Sequence, residues 1–74
     1  MRVELDTCGL LCPLPVLKAR KRLAEMSVGE ILELYADDPA AVVDVPHFCN
    51  ENGHLLIETK DQDAGKTLYL IEKR

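Results

Sequence analysis

The stretch RVELDTCGLLCPLPVLKARKRLAEM, residues 2–26, changes its hydrophobic period partway along. From Arg2 to Asp6 the apolar Val3 and Leu5 alternate with charged residues, which is the pattern of a short strand with one buried face. After the loop Thr7 to Leu11, Val16, Ala19, Leu23 and Met26 recur at spacings of three, four and three. That spacing predicts a helix from Pro13 to about Met26 with one apolar stripe. A strand followed at once by such a helix calls for a sheet on which the stripe packs. Lys18, Lys21, Arg22 and Glu25 then lie on the opposite, basic side, with Leu17 and Arg20 at its edge.

The start of that helix holds the chemistry. In Cys12-Pro13-Leu14-Pro15, Pro13 disfavours helical angles at Cys12 and itself suits the first helical position, so Cys12 is expected to be a non-helical cap. Neither proline has an N–H, leaving Leu14 and Val16 as the free donors of the first turn. These donors and the positive helix end favour a thiolate, and helix starts near cations lower a cysteine pKa from about 8.5 towards neutrality. Cys12 is the candidate nucleophile, with Pro13, Leu14 and Pro15 as its support. The bland alternative is a buried structural cysteine, but a cap beside a loop is poorly placed for deep burial. Hydroxyl or carboxylate caps also serve a purely structural purpose better.

Further along, Ser27, Val28 and Gly29 form a stop before Glu30 to Ala36, an apolar run too short for a typical helix and expected to be a central strand. Asp38 before Pro39 signals a second helix, with the carboxylate as cap and Asp37 adding favourable charge. Pro46 predicts a kink or two short pieces before an end near Gly53. His54 to Lys60 and Lys66 to Lys73 flank the turn-forming residues 61–65 and read as a hairpin. The expected fold is α/β in the order βαβαββ, a two-layer sandwich with a mixed four-stranded sheet and two helices on one face. Residues 1–74 are expected to make a single domain, with no repeat or linker.

Composition narrows the function. A chain of 74 residues buries only about 60% of its unfolded surface, which leaves no room for a deep catalytic cavity. With 47% hydrophobic and 30% charged residues it is expected to fold. The net charge of −4 argues against direct nucleic-acid binding, although four of the nine basic residues fall between Lys18 and Arg22. No apolar run approaches the roughly 20 residues that span a bilayer, and no signal-like N-terminus is present. A cytoplasmic protein with no membrane association is expected, and three cysteines at this spacing fit reduced thiols better than a disulfide framework.

The remaining candidates are weighed against Cys12. Cys8 lies four residues earlier, on the loop that Gly9 lets fold back, and is either a resolving thiol or inert; its three-residue spacer departs from the usual redox spacing. Cys49, near Val45 and Phe48, reads as core. His47 and His54 raise the question of zinc, but no ligand spacing supports it, and neither metal nor cofactor is expected. No histidine or carboxylate near Cys12 in sequence must be its base, and the prolines delete the donors of a phosphate cradle. The basic helix face is either simply solvated or, beside a nucleophile, a guide for docking an acidic protein surface.

At these residues the chain resembles the TusA/SirA-like family of sulfur carriers. The resemblance runs through LDTCGLLCPLPVLKARKRL, SVGEILELYADDPA, DVPHFC and the closing hairpin, and residues 9–15 and Asp37-Asp38-Pro39 are its most diagnostic parts. It implies a two-layer sandwich and a sulfur relay in which Cys12 matches the persulfide-carrying cysteine. A cysteine desulfurase or rhodanese-like protein would then be the donor and another protein the acceptor. Some sulfur carriers of the family have Glu where this chain has Leu14, so the destination stays open among tRNA thiolation, cofactor assembly and sulfur oxidation. Cys8 is outside the core family motif. The physical reading agrees with a carrier, because a rim thiol can take up a sulfane sulfur and yield it to another thiolate. Partner docking is then expected around Cys12, at Leu14, Leu17, Lys18 and Lys21. The competing readings are a regulatory interaction module in which Cys12 is dispensable, and a Cys8/Cys12 redox switch.

Overall fold

The computed structural model describes residues 2–74. The elements follow in the order β1 (Arg2–Asp6), α1 (Leu14–Ala24), β2 (Ile31–Ala36), α2 (Ala41–Asn52), β3 (Leu55–Asp61), a 3-10 turn (Asp63–Gly65) and β4 (Thr67–Glu72). The sheet order is β1-β2-β4-β3. β2 runs parallel to β1, as a helical crossover requires, and β4 inserts antiparallel between β2 and β3.

Register explains why one face is buried. Val3 pairs with Leu32, Leu32 with Ile71 and Ile71 with Leu56, so four apolar side chains cross the sheet in a row. Leu5, Leu34 and Tyr69 form the next row. Onto these rows pack Ala19, Leu23 and Met26 from α1 and its C-terminal extension, and Ala41, Val45, Phe48 and Cys49 from α2. Both helices therefore cover the same face, as the order of elements predicts. At about 25 cal/mol per Å² of apolar surface, this single layer of contacts is the main driving force for the fold.

Where the structure departs from the sequence reading, tertiary contacts are the cause. α1 begins at Leu14 with Pro13 as cap, one residue later than expected, and ends at Ala24. The Lys73 ammonium, arriving from beyond β4, donates to the Leu23 carbonyl at 2.6 Å and closes that end. The helix expected from Asp38 begins only at Ala41, because the Asp38 carboxylate is shared between the Ala40 N–H (3.3 Å) and the loop that carries Cys12. Pro46 does not divide α2, which runs unbroken to Asn52. Proline deprives the Val42 carbonyl of its partner, and Val42 is exposed, so that loss falls on the solvent side of the helix. The hairpin forms as expected, with a register shift between Leu56 and Glu58 that leaves Ile57 exposed.

Candidate functional site

The loop from Thr7 to Pro13 is held by side chains rather than by regular structure. The buried Thr7 sends both its N–H (2.8 Å) and its hydroxyl (2.6 Å) to the Tyr35 carbonyl, which fixes where the chain leaves the sheet. Asp6 accepts the Cys8 N–H, Asp37 accepts the Gly9 N–H, both at 2.9 Å, and Asp38 accepts the Cys12 N–H at 2.6 Å. Gly9 has φ +86°, a left-handed conformation that side-chain-bearing residues rarely adopt. Asp37 and Asp38, legible in the sequence as helix-start residues, are thus also the clamp on the cysteine loop.

This clamp leaves Cys12 exposed, at the mouth of a groove of about 310 Å³ between the start of α1 and the side of α2. Pro13, Val16 and Phe48 give it an apolar floor, and Asp44, His47, Glu51 and Asn52 line it from α2. His47 Nε2 and Glu51 Oε1 pair at 2.9 Å on the rim. Cys12 Sγ donates to Asp44 Oδ2 at 2.8 Å. Asp44 is the functional neighbour that sequence reasoning missed. Asp44, His47 and Glu51 do form a stripe at helical spacing, but nothing local shows that it faces the start of α1.

The ionisation of Cys12 is the opposite of the sequence expectation. The hydrogen bond to Asp44, partial desolvation and the charges of Asp44 and Asp38 push the thiol above its ordinary range, because each disfavours the thiolate. Of the two expected backbone donors, the Leu14 N–H is already bonded to the Leu11 carbonyl at 2.9 Å. The expected cations do not line the Cys12 groove either. Lys18, Lys21 and Arg22 line a separate groove with Leu5 and Glu25. The side chains nearest Cys12 in the chain that stand exposed are apolar instead, Leu11 and Leu14, with Leu17 exposed further along α1, whereas Pro15 is buried.

The other thiols sit elsewhere. Cys8 is half-buried and raised by burial, by Asp6 and by Asp37, a different set of carboxylates from that of Cys12. Cys49 is in the core, where burial pushes it to about 11. All three are free thiols. Among the described residues no group of three or more His, Cys, Asp or Glu side chains is arranged to hold a metal, and no helix is long and apolar enough to cross a membrane.

Comparison with known proteins adds a second line of observation. Residues 3–73 match the family model described as sulfurtransferase TusA. The chain is 46% identical over 70 residues to the sulfur carrier protein TusA of Allochromatium vinosum, covering 95% of this chain and 91% of that protein. It is 40% identical over 70 residues to the sulfur carrier protein TusA of Pseudomonas putida, covering 95% and 86%. The crystal structure of the SirA-like protein from Desulfitobacterium hafniense superimposes with a TM-score of 0.84 at 26% identity, covering 97% of this chain and 96% of that one.

Proposed function

The chain belongs to the TusA sulfurtransferase family, whose members are sulfur carriers, and on that premise we propose that it carries sulfane sulfur as a persulfide on Cys12. The observation that carries this reading is the exposed Cys12 thiol, held at the start of α1 in an open groove. Such a site suits sulfur that comes from one protein and leaves to another, since neither exchange has to happen inside an enclosed pocket.

In loading, Cys12 Sγ gives up its proton and forms a bond to the outer sulfur of a donor persulfide. The donor's S–S bond breaks, and its inner sulfur leaves with the electron pair and takes up a proton. Handover repeats the same exchange with an acceptor thiolate attacking the outer sulfur now on Cys12. A cysteine desulfurase or rhodanese-like protein fits the role of donor, and the acceptor is a further protein of the relay, within the cytoplasm. Docking uses the surface around Cys12, including Leu14 and Leu17, with the Lys18 and Lys21 groove as an outlying electrostatic guide. Residues 1–74 act as one carrier domain, and the exchange as written needs only Cys12, with a resolving role for Cys8 decided by the Cys8→Ala variant.

Mass spectrometry of the intact protein after incubation with a cysteine desulfurase and cysteine tests this reading. A reductant-sensitive gain of one sulfur atom is expected in the wild type and in Cys8→Ala, and none in Cys12→Ala. An adduct that needs both cysteines would replace the carrier by a redox relay. Absence of any adduct with several competent donors would leave an interaction module.

A further inference from the structure

The hydrogen bond between Cys12 and Asp44 has a geometric consequence for a loaded carrier. Sγ and Oδ2 are 2.8 Å apart. A sulfur atom added to Sγ forms a bond of about 2.05 Å. Placed along the present S–H direction it would overlap the carboxylate oxygen, so loading must turn the sulfur away from Asp44. Charge acts in the same direction. A thiol has a proton to donate to a carboxylate, whereas a persulfide is a stronger acid than the thiol it replaces and presents an anion at neutral pH.

We propose that Asp44 is a positioning residue that separates the two states of the carrier, holding the empty Cys12 thiol against α2 and turning the loaded sulfur out of the groove. This deepens the persulfide reading and rests on it. The other groups near the sulfur are of mixed character, and His47, the one basic group lining the groove, is paired with Glu51. Asp38 adds negative charge from the segment before α2, the His47 and Glu51 pair lies on the groove rim, and α1 contributes the apolar Val16. The empty carrier therefore keeps its thiol protonated and docked. The loaded carrier displays its sulfur to the acceptor.

The test compares Asp44, Asp44→Asn and Asp44→Glu in a Cys8→Ala background, which removes the half-buried Cys8 and leaves Cys12 as the one thiol outside the core. Each protein is alkylated with iodoacetamide between about pH 6 and 9, a range chosen around the ordinary thiol pKa. This is done first empty and then after loading with inorganic polysulfide. In that loading Cys12 loses its proton, bonds to a polysulfide sulfur and breaks one of its S–S bonds, and the shortened chain leaves as the hydropolysulfide.

In the empty protein Asp44→Asn is expected to move the rate profile to lower pH and to speed alkylation at pH 7 by about twofold or more. Asp44→Glu, which keeps the carboxylate, is expected to stay closer to the parent. In the loaded protein Asp44→Asn is expected to slow alkylation, because the amide N–H can now hold the outer sulfur in the groove. A merely structural effect moves both forms in the same direction, so parallel changes overturn the proposal, as does an unshifted profile in the empty protein. Polysulfide needs no protein donor, so failure here leaves the carrier reading standing. Failure of enzymatic loading leaves this measurement intact.

Discussion

Three identical side chains in this chain meet three different surroundings, and their reactivity follows from those surroundings. Cys12 is exposed, Cys8 is half-buried and Cys49 lies in the core. Brief alkylation of the native protein followed by peptide mapping is expected to label Cys12 first and Cys49 last, since access and thiolate fraction set the rate. Cys49 also makes stability depend on pH. Its folded pKa of about 11 lies above the ordinary thiol range, so the unfolded chain loses this proton first as pH rises. Its contribution is fully present below about pH 9 and is lost as the pH passes through about 11. Denaturant melts at pH 8 and 10.5 are expected to show a smaller drop for Cys49→Ala than for the wild type, from a lower starting stability because of the cavity. At this scale the sequence leads to the expectation of a thiolate-favouring site at Cys12, and the structure sets carboxylates around that thiol instead. The helix start is a local feature, whereas the carboxylate that dominates it comes from 32 residues away.

The elements were legible wherever their signal is periodic. The stripe Val16, Ala19, Leu23 and Met26 and the alternation of β1 translate directly into packing, because both report which side chains face the sheet. Boundaries were less legible where one side chain serves two elements. Asp38 has the look of a plain helix cap, yet it spans from the Ala40 N–H to the Cys12 N–H and so couples the start of α2 to the cysteine loop. Asp38→Ala leaves both donors without their carboxylate and is expected to cost about 1–2 kcal/mol in thermal or chemical unfolding. It is also expected to speed proteolysis between Thr7 and Leu14. Gly53 offers a cleaner case. It ends α2 at φ +74° with nothing within 4 Å of an added Cβ, so Gly53→Ala meets no clash. Its expected cost of about 1 kcal/mol is purely conformational and should appear as a lower melting temperature with unchanged sulfur loading.

Across the whole molecule the charges are sorted. A cationic groove between β1 and α1 holds Lys18, Lys21 and Arg22, while the groove that Cys12 opens into is acidic at Asp44 and Glu51. A partner approaching the thiol therefore meets two fields of opposite sign. Lys18→Glu combined with Lys21→Glu is expected to slow sulfur transfer from a protein donor several-fold at low salt. The difference should shrink at high salt, with the melting temperature nearly unchanged because these side chains are exposed. Equal, salt-independent rates would remove the basic groove from docking. The order of the elements made this architecture legible, but the separation of the two grooves was not, since it depends on which side of α1 the second helix lies.

The groove beside Cys12 has a floor and walls but no roof. Sulfur carried on Cys12, turned out of even that shelter, would be within reach of every small thiol in solution, and each collision would be a chance of losing it. Fidelity in such a carrier is a contest of rates, won when the proper acceptor arrives before free thiols do. The loaded protein is then expected to have a half-life that falls in proportion to added glutathione, and the carrier works as a courier with a deadline.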